Sequence, residues 1–164
     1  MGDSVGATVS VSGGVIFSVG CSLMMNDCRT NQLEFIDLLS DEVCSLAVCG
    51  QSVFAADDSG AVTVRDLRFA QPKDSSIKMA ATSETNSSIP ISDLLGMHDS
   101  IAMCVDVKDG KCISGGFDST VRIWGSNNSL QFDAQTFNPP HVHSIVAGKT
   151  VFAGLGDGVI RVLG

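Results

Sequence analysis

Two histidines and a glycine-rich loop near residue 150 are the first candidates for chemistry. His141 and His143 fall on one side of an extended segment, where two imidazoles could share a metal ion, but no third ligand follows and no Cys-x-x-Cys pair exists. The loop at 154–158 has three glycines but lacks the Lys-Ser or Lys-Thr ending and the helix of a phosphate-binding loop. We therefore expect turn glycines here, and no metal or cofactor.

Nucleophilic catalysis has little support in the sequence. The stretch at 116–119 reads Gly-Phe-Asp-Ser, whereas a nucleophile elbow reads Gly-x-Ser-x-Gly between a strand and a helix. Five of the six cysteines lie in or beside predicted strands, which favours reduced, small core residues over metal ligands. We expect no catalytic residue and therefore a protein that is not an enzyme.

The elements that position these residues are short strands arranged in repeats. Each repeat has a short apolar run, small residues, an acidic turn and an alternating apolar strand, and alternation with period two predicts half-buried strands. The copies align on Asp58, Asp118 and Asp157, and a weaker copy with Cys21-Ser22 at the turn lies at 8–29. Further strands are predicted at 33–38, 43–48, 101–107, 129–136 and 143–147.

The spacing of the repeats indicates four-stranded units. Cys21 and Asp58 are 37 residues apart, and Asp118 and Asp157 are 39 apart, close to the ~40–45 residues of a propeller blade. The interval of 60 residues between Asp58 and Asp118 contains a Ser/Thr-rich insert at 72–93, predicted as an exposed loop that could hold the outer strand of its blade. The predicted blades are 1–40, 41–97, 98–137 and 138–164.

Composition and charge exclude several partners. The 164 residues are 44% hydrophobic and carry a formal net charge of −8, so a core can form and a phosphate backbone or an anionic membrane is repelled on average. The mostly apolar run at 15–25 is too short to span a bilayer. We expect no nucleic-acid, membrane or small-molecule partner, and a cytoplasmic or nuclear location.

The third repeat, 97–124, resembles the WD-repeat family of β-propellers. That family carries a structural tetrad of His, Ser or Thr, Asp and Trp, and this resemblance assigns the four roles to His98, Ser114, Asp118 and Trp124. Such a set has a physical reason, because a buried aspartate must be hydrogen-bonded, and the His and Ser can connect it to the indole N–H. A catalytic role for His98 beside Asp99 is disfavoured by the same assignment.

The other repeats depart from this pattern. Phe54 and Arg65 stand at the Ser and Trp positions of the second repeat, and Ala153 and Leu163 stand there in the fourth. Stretches at 26–29, 56–62 and 138–162 resemble one subfamily of WD-repeat proteins more closely. Propellers of the family usually close with seven blades. The resemblance therefore implies an all-β, WD-type propeller segment of about four antiparallel blades, incomplete as a fragment. Completion by a partner chain and a rare four-bladed closure are the alternatives.

Two Asp-x-Arg motifs end predicted third strands, Asp27-Cys28-Arg29 and Asp66-Leu67-Arg68. Propellers that dock on the adaptor of cullin–RING ubiquitin ligases carry Trp-Asp-x-Arg here, with the arginine on one face of the ring. In this sequence Asn26 and Arg65 replace the Trp. The resemblance implies docking by both motifs, since an arginine fork suits interface carboxylates and carbonyls. The alternative is that the aspartates cap strand turns and the arginines are solvated.

The sequence thus predicts a protein-binding module, with a ubiquitin-ligase substrate receptor as the preferred role. The adaptor contacts would be Asp27, Arg29, Asp66 and Arg68. A general scaffold subunit of another complex is the alternative within the binding class. A propeller enzyme such as a hydrolase is the alternative from another class, and it would need acidic or His ligands converging on the central channel.

Overall fold

The structure is a computed structural model that describes residues 8–12, 15–19, 22–38, 42–66, 93–124, 130–133 and 141–163. These residues form fifteen strands in four antiparallel sheets, each assembled from consecutive strands. No helix among them is long and apolar enough to cross a membrane.

The four sheets follow one another along the chain. The first contains β1 (Thr8–Ser12), β2 (Val15–Val19), β3 (Ser22–Asp27) and β4 (Gln32–Leu38). The second contains β5 (Val43–Cys49), β6 (Ser52–Asp57), β7 (Ala61–Asp66) and β8 (Asp93–Met97). The third contains β9 (Ala102–Lys108), β10 (Lys111–Gly116), β11 (Val121–Trp124) and β12 (Leu130–Asp133), and the fourth contains β13 (Val142–Ala147), β14 (Val151–Leu155) and β15 (Ile160–Leu163).

The middle strands of the second and third sheets are apolar or small on both faces. Val53 to Ala56 in β6 are all buried, and so are the residues from Cys112 to Gly116 in β10. A strand that is buried on both faces needs a neighbour on each side, which explains why its sequence runs apolar instead of alternating. These two sheets are therefore interior members of a stack.

The sheets stack in chain order around their first strands. β1 lies beside β5, β5 beside β9, and β9 beside β13. One core fills the space between the second and third sheets, and another fills the space between the third and fourth. Among the described residues, the first and fourth sheets share no comparable contact, so the arc is open. This architecture is a four-sheet, WD-type segment of a β-propeller, as the sequence predicts.

Polar contacts also join neighbouring first strands. The Ser45 hydroxyl accepts a hydrogen bond from the Val105 N–H at 3.1 Å, which links β5 to β9. The Asp106 carboxylate accepts one from the Ala147 N–H at 2.7 Å, which links β9 to β13. These bonds satisfy backbone groups that the sheets themselves leave unpaired, and they fix the register between blades.

Three turns share one backbone pattern, and this pattern corrects the alignment of the second repeat. The N–H groups of Asp58, Phe117 and Gly156 each donate to the carbonyl just before the first strand of their own sheet. Two residues further on, φ is positive in all three turns, at Gly60 (94°), Ser119 (64°) and Gly158 (82°). The residue between, equivalent to Asp118, is Asp157 in the fourth sheet but Ser59 in the second. The alignment on Asp58 is wrong by one residue.

The same shift moves the Ser position of the second repeat. Ser114 pairs with Val105, Ala153 with Ile145, and Ala55 with Leu46, so Ala55 stands at the Ser position and not Phe54. Two adjacent aspartates, Asp57 and Asp58, made the register ambiguous in the sequence. Asp57 makes the turn contacts, because its carboxylate accepts from the Ser59 hydroxyl at 2.6 Å and the Ala61 N–H at 2.9 Å.

The insert and the cysteines complete the comparison with the sequence. Residues 67–92, which include most of the predicted insert at 72–93, lie outside the described residues, and Asp93 begins the outer strand β8 against β7.

Cys104 and Cys112 are buried, whereas Cys28 and Cys49 are exposed in or beside turns, so a core role is wrong for the latter two. Burial raises the pKa of the Cys104 thiol to about 12, which keeps it protonated and unreactive.

Candidate functional site

The strand order puts different turns at the two ends of the stacked sheets. In an antiparallel meander, alternate turns lie at opposite ends. We call the end with the turns at 58–60, 117–120 and 156–159 the Asp118 face. We call the end with the turns at 28–31, 50–51, 109–110 and 148–150 the Arg29 face. Asp118 and Arg29 therefore lie at opposite ends of their sheets.

His98, Ser114, Asp118 and Trp124 form one hydrogen-bonded chain in the third sheet. His98 Nδ1 lies 3.0 Å from each carboxylate oxygen of Asp118, and His98 Nε2 lies 2.8 Å from the Ser114 hydroxyl. The indole Nε1–H of Trp124 donates to the same hydroxyl at 2.9 Å. The chain runs from the Asp118 face into the core between the second and third sheets, where Trp124 packs.

The protonation states follow from this geometry. A carboxylate only accepts, so His98 donates through its Nδ1–H to Asp118. Burial holds the pKa of His98 below its usual 6.5 although the Asp118 bond opposes this, so the neutral ring keeps Nε2 as an acceptor. Ser114 then donates to Nε2 while accepting from the indole. Each donor and acceptor that links these four side chains therefore has a partner of the correct kind, and neither nitrogen of His98 is left as a free base.

Two further side chains complete this network, and the sequence reasoning missed both. The Thr120 hydroxyl donates to Asp118 Oδ1 at 2.8 Å, and the backbone N–H groups of Asp99 and Thr120 donate to the same carboxylate at 3.0 Å. Arg122 Nη2 lies 3.6 Å from Asp118 Oδ2 and also donates from Nη1 to the Met97 carbonyl. The Asp-x-Thr-x-Arg spacing from 118 to 122 is the signal that could have indicated them.

The carboxylate of Asp118 is charged despite its burial. Burial alone would raise its pKa, but the bonds from Thr120, the Asp99 N–H and His98 together hold the pKa below its usual 3.8. The tetrad therefore contains a neutral imidazole beside a charged carboxylate, and protein groups donate the hydrogen bonds that stabilise this charge. This is a structural arrangement that closes the β10–β11 turn and anchors the loop before β9.

A glycine on the outer strand of the second sheet makes room for the indole. A Cβ on Gly96 would lie 2.3 Å from the Trp124 ring, so only glycine lets β8 approach it. Trp124 is 3% exposed, between the second and third sheets. The tetrad therefore stabilises the contact between two blades as well as its own blade.

We expect the stability of the protein to fall as the pH is lowered through the titration of His98. The folded-state pKa of His98 lies below its unfolded value, so the unfolded chain binds the proton more readily. The contribution is fully present above about pH 6.5 and is lost below it, at up to about 1.4 kcal/mol per pH unit. Urea unfolding at several pH values from about 8 to 5 measures this slope, and His98→Asn should flatten it. A slope that His98→Asn leaves unchanged would assign the titration to other groups.

The other described sheets lack this polar chain. At the Ser and Trp positions, Ala55 and Arg65 stand in the second sheet and Ala153 and Leu163 in the fourth. Asn26 stands at the Trp position of the first sheet, where its Oδ1 is buried with no hydrogen-bond partner among the described residues. Apolar cores join the second sheet to the third and the third to the fourth.

Arg29 and Asp27 form a closed pair on the Arg29 face. Arg29 donates from Nε to Asp27 Oδ1 at 3.0 Å and from Nη2 to Oδ2 at 2.7 Å, and its backbone N–H donates to Oδ1 at 2.9 Å. This bidentate pair lowers the pKa of Asp27 to about 2. The Arg29 side chain is nevertheless 70% exposed. It is paired within its own turn and available to solvent at the same time.

The second motif is described only in part. Asp66 ends β7 opposite Ser52, as Asp27 ends β3 opposite Val15, so both motifs begin at the same end of their sheets. Arg68 lies outside the described residues.

The two histidines of the fourth sheet have local roles. His141 stacks on Phe117, with ring centroids 3.5 Å apart and planes within 10°, and its Nδ1 lies 2.5 Å from the Phe117 carbonyl oxygen. His143 meets His141 edge-on at 6.5 Å. Among the described residues, no group of three or more His, Cys, Asp and Glu side chains is placed to hold a metal ion. The stack fastens the fourth sheet to the β10–β11 turn.

Comparison with known proteins agrees with this architecture. No family model and no curated protein matches the sequence. The fold resembles that of the computationally designed Ika4 protein, with a TM-score of 0.74 and 19% identity over 99% of this chain and 94% of that one. It resembles U3-55K, with a TM-score of 0.75 and 15% identity over 99% of this chain and 50% of that one.

The WD40 β-propeller domain of Doa1 gives a third likeness, with a TM-score of 0.69 and 20% identity over 95% of this chain and 49% of that one. The chain therefore spans about half the length of U3-55K and of the Doa1 domain. At these identities the likeness shows the fold alone, a WD-type β-propeller segment.

Proposed function

We propose that this protein is a protein–protein interaction module that recruits partners through its turns and contributes no chemistry of its own. The observation that carries this is a stack of rigid sheets presenting short, hydrogen-bonded turns, one of which displays an exposed arginine. Binding residues are commonly carried on loops that a rigid scaffold positions. The tetrad, in which burial and hydrogen bonds shift the pKa values of His98 and Asp118, is occupied in holding the fold together.

For the partner, we propose the adaptor of a cullin–RING ubiquitin ligase, docked on the Arg29 face through the Asp-x-Arg turns. Asp27 takes the Nε–H and one N–H of Nη2, which leaves three guanidinium donors of Arg29. The pair is preorganised and locally neutral, so it offers directed hydrogen bonds to carbonyls or carboxylates at little entropic cost. Arg68 would supply the second contact.

Two other proposals accompany this one. A scaffold subunit of another complex would use the same fold with a different partner. A folded protein that does not bind the adaptor would favour this scaffold role. The stretches at 26–29, 56–62 and 138–162 further resemble WD repeat-containing protein 53. This resemblance is the finer proposal about relationship and rests on those stretches alone.

An affinity pull-down with the purified adaptor tests the docking proposal. We expect the wild-type chain to bind and an Arg29→Ala/Arg68→Ala double variant to lose at least about tenfold in affinity, since interface arginines are often the residues that dominate binding. Arg29→Lys should also weaken binding, because an ammonium retains the charge but not the planar fork.

Arg161→Ala is the matched control, because Arg161 is an exposed arginine on the fourth sheet, away from both motifs. Its binding should equal that of the wild type. If a folded wild-type chain ignores the adaptor, or if the double variant binds as well as the control, the docking proposal is wrong.

A further inference from the structure

The fourth sheet leaves an apolar stripe uncovered. Val146 is 61% exposed, Phe152 42%, Ile160 69% and Val162 63%. Val146, Phe152 and Val162 lie directly opposite one another on β13, β14 and β15, so their side chains share one face. Ile160 is two residues before Val162 and falls on the same face. We call these four residues the apolar stripe.

The other face of the same sheet is buried in the normal way. Ile145, Ala153 and Leu155 pack against the third sheet, with Val142 beside them. The stripe therefore lies on the face of the fourth sheet that points away from the third sheet. Contiguous exposed apolar residues of this kind mark a binding surface more often than a solvated one.

The equivalent positions of the second sheet are buried in a contact between blades. Ala47, Phe54 and Val64 lie opposite one another as the stripe residues do, and Val62 takes the place of Ile160. Phe54 is 9% exposed and Val62 0%, because both pack on the third sheet. These positions carry the contact with the following sheet.

The third sheet repeats this arrangement. Ile113, Val121 and Ile123 occupy the same register positions and pack against the fourth sheet. Val121 is 2% exposed, compared with 69% for its equivalent Ile160. In the second and third sheets, this face is covered by the following sheet. The stripe thus has the chemistry of a contact with one more blade.

The receiving side of such a contact is also defined. In the third sheet, the residues that pack against the second sheet include Val105, Val107 and Cys112. The strand registers place Val9, Val11 and Ile16 at the equivalent positions of the first sheet, and all three are apolar. Among the described sheets, the second is the one with which the first sheet makes extensive contact. The two ends of the arc are therefore complementary in register and in residue type.

We propose that the apolar stripe binds the first sheet of a second copy of this chain, and that two copies close one ring. The chain spans 50% of U3-55K and 49% of the Doa1 propeller domain, so a second chain is the right size to complete a ring of that kind. In a pair related by a two-fold axis, the fourth sheet of each copy meets the first sheet of the other, and both open ends are covered.

Charge favours this head-to-tail pairing over stripe against stripe. Residues 141–163 carry Lys149 and Arg161 against the single Asp157, so they are net positive. Residues 22–38 carry three acidic residues against Arg29 alone, so they are net negative. The opposite net charges of the two segments favour pairing of the fourth sheet with the first over pairing of two fourth sheets.

Sedimentation velocity of the purified chain tests the proposal. We expect a particle of twice the 17.1 kDa chain mass that dissociates on dilution. Val162→Lys should weaken the pairing at least about tenfold without changing the circular dichroism, because Val162 is exposed in the single chain. Gln51→Lys is the control, since it adds the same charge to an exposed turn far from the stripe.

The outcomes separate this inference from the proposed function, because the stripe does not involve Arg29. A folded wild-type chain that stays monomeric at about 100 µM overturns the pairing whatever the variants do. Open-ended polymers overturn the closed ring. Pairing that survives Val162→Lys, or that survives Val11→Lys on the first sheet, overturns the fourth-to-first arrangement.

Discussion

Replacement of Asp118 by alanine is expected to lower the free energy of unfolding by about 3 kcal/mol or more. The carboxylate accepts hydrogen bonds from His98, from the Thr120 hydroxyl and from two backbone N–H groups, and Arg122 pairs with it. Alanine removes the acceptor of these hydrogen bonds and takes a carboxylate away from Arg122, whose Nη2 also lies 3.5 Å from Asp99 Oδ2. Urea unfolding followed by the fluorescence of the single tryptophan measures the loss.

The fourth sheet supplies the matched control for Asp118. Asp157 occupies the same turn position but is exposed, and its carboxylate accepts from the Val159 N–H at 3.0 Å. Asp157→Ala should therefore cost less than about 1 kcal/mol. Equal losses for the two variants would show that the turn position matters and the network does not. Asp118→Asn, which keeps the shape and loses the charge, should fall between them.

Replacement of Trp124 by alanine is expected to cost about 3–5 kcal/mol, the range for removal of a buried aromatic side chain. The indole is 3% exposed and fills the space between the second and third sheets against Gly96. The loss should appear in both sheets, because the residue belongs to the core that they share. Far-ultraviolet circular dichroism during urea unfolding measures it without the tryptophan signal.

Trp124→Phe separates packing from hydrogen bonding. It retains most of the ring but removes the N–H that the Ser114 hydroxyl accepts, so it should cost about 1–2 kcal/mol. Combined with Ser114→Ala, its effect should be smaller than the sum of the two single effects, because both substitutions break the same bond. If the losses of unfolding free energy from the two substitutions were fully additive, the hydrogen bond between Ser114 and the Trp124 indole would not contribute to stability.

Local pattern was sufficient for the fold because each blade is made of neighbouring hairpins. The alternating residues of β7, β11 and β15 and the turn glycines define strands that pair with the next strand along the chain. The resemblance of the third repeat to the WD-repeat family was sufficient to assign the tetrad, since all four residues lie within one blade. Such features need no long-range information.

Register at the second turn could not be obtained this way. Asp57 and Asp58 are equally good turn aspartates in the sequence, and the hydrogen bond from the Asp58 N–H to the Glu42 carbonyl decides between them. Glu42 lies sixteen residues earlier, just before β5, so the deciding partner is outside the β6–β7 hairpin that contains the turn. Thr120 and Arg122 differ in this respect, because they contact Asp118 from two and four residues away in the chain.

The sequence by itself determined most of the strands and their order, because hairpin pairing and side-chain alternation act between residues close in the chain. The tertiary structure decided which faces of those strands are covered. Phe54 and Phe152 occupy the same position in similar sequences, yet one is 9% and the other 42% exposed. The difference lies in whether another sheet is stacked on that face, and stacking is a property of neighbours that the local sequence does not contain.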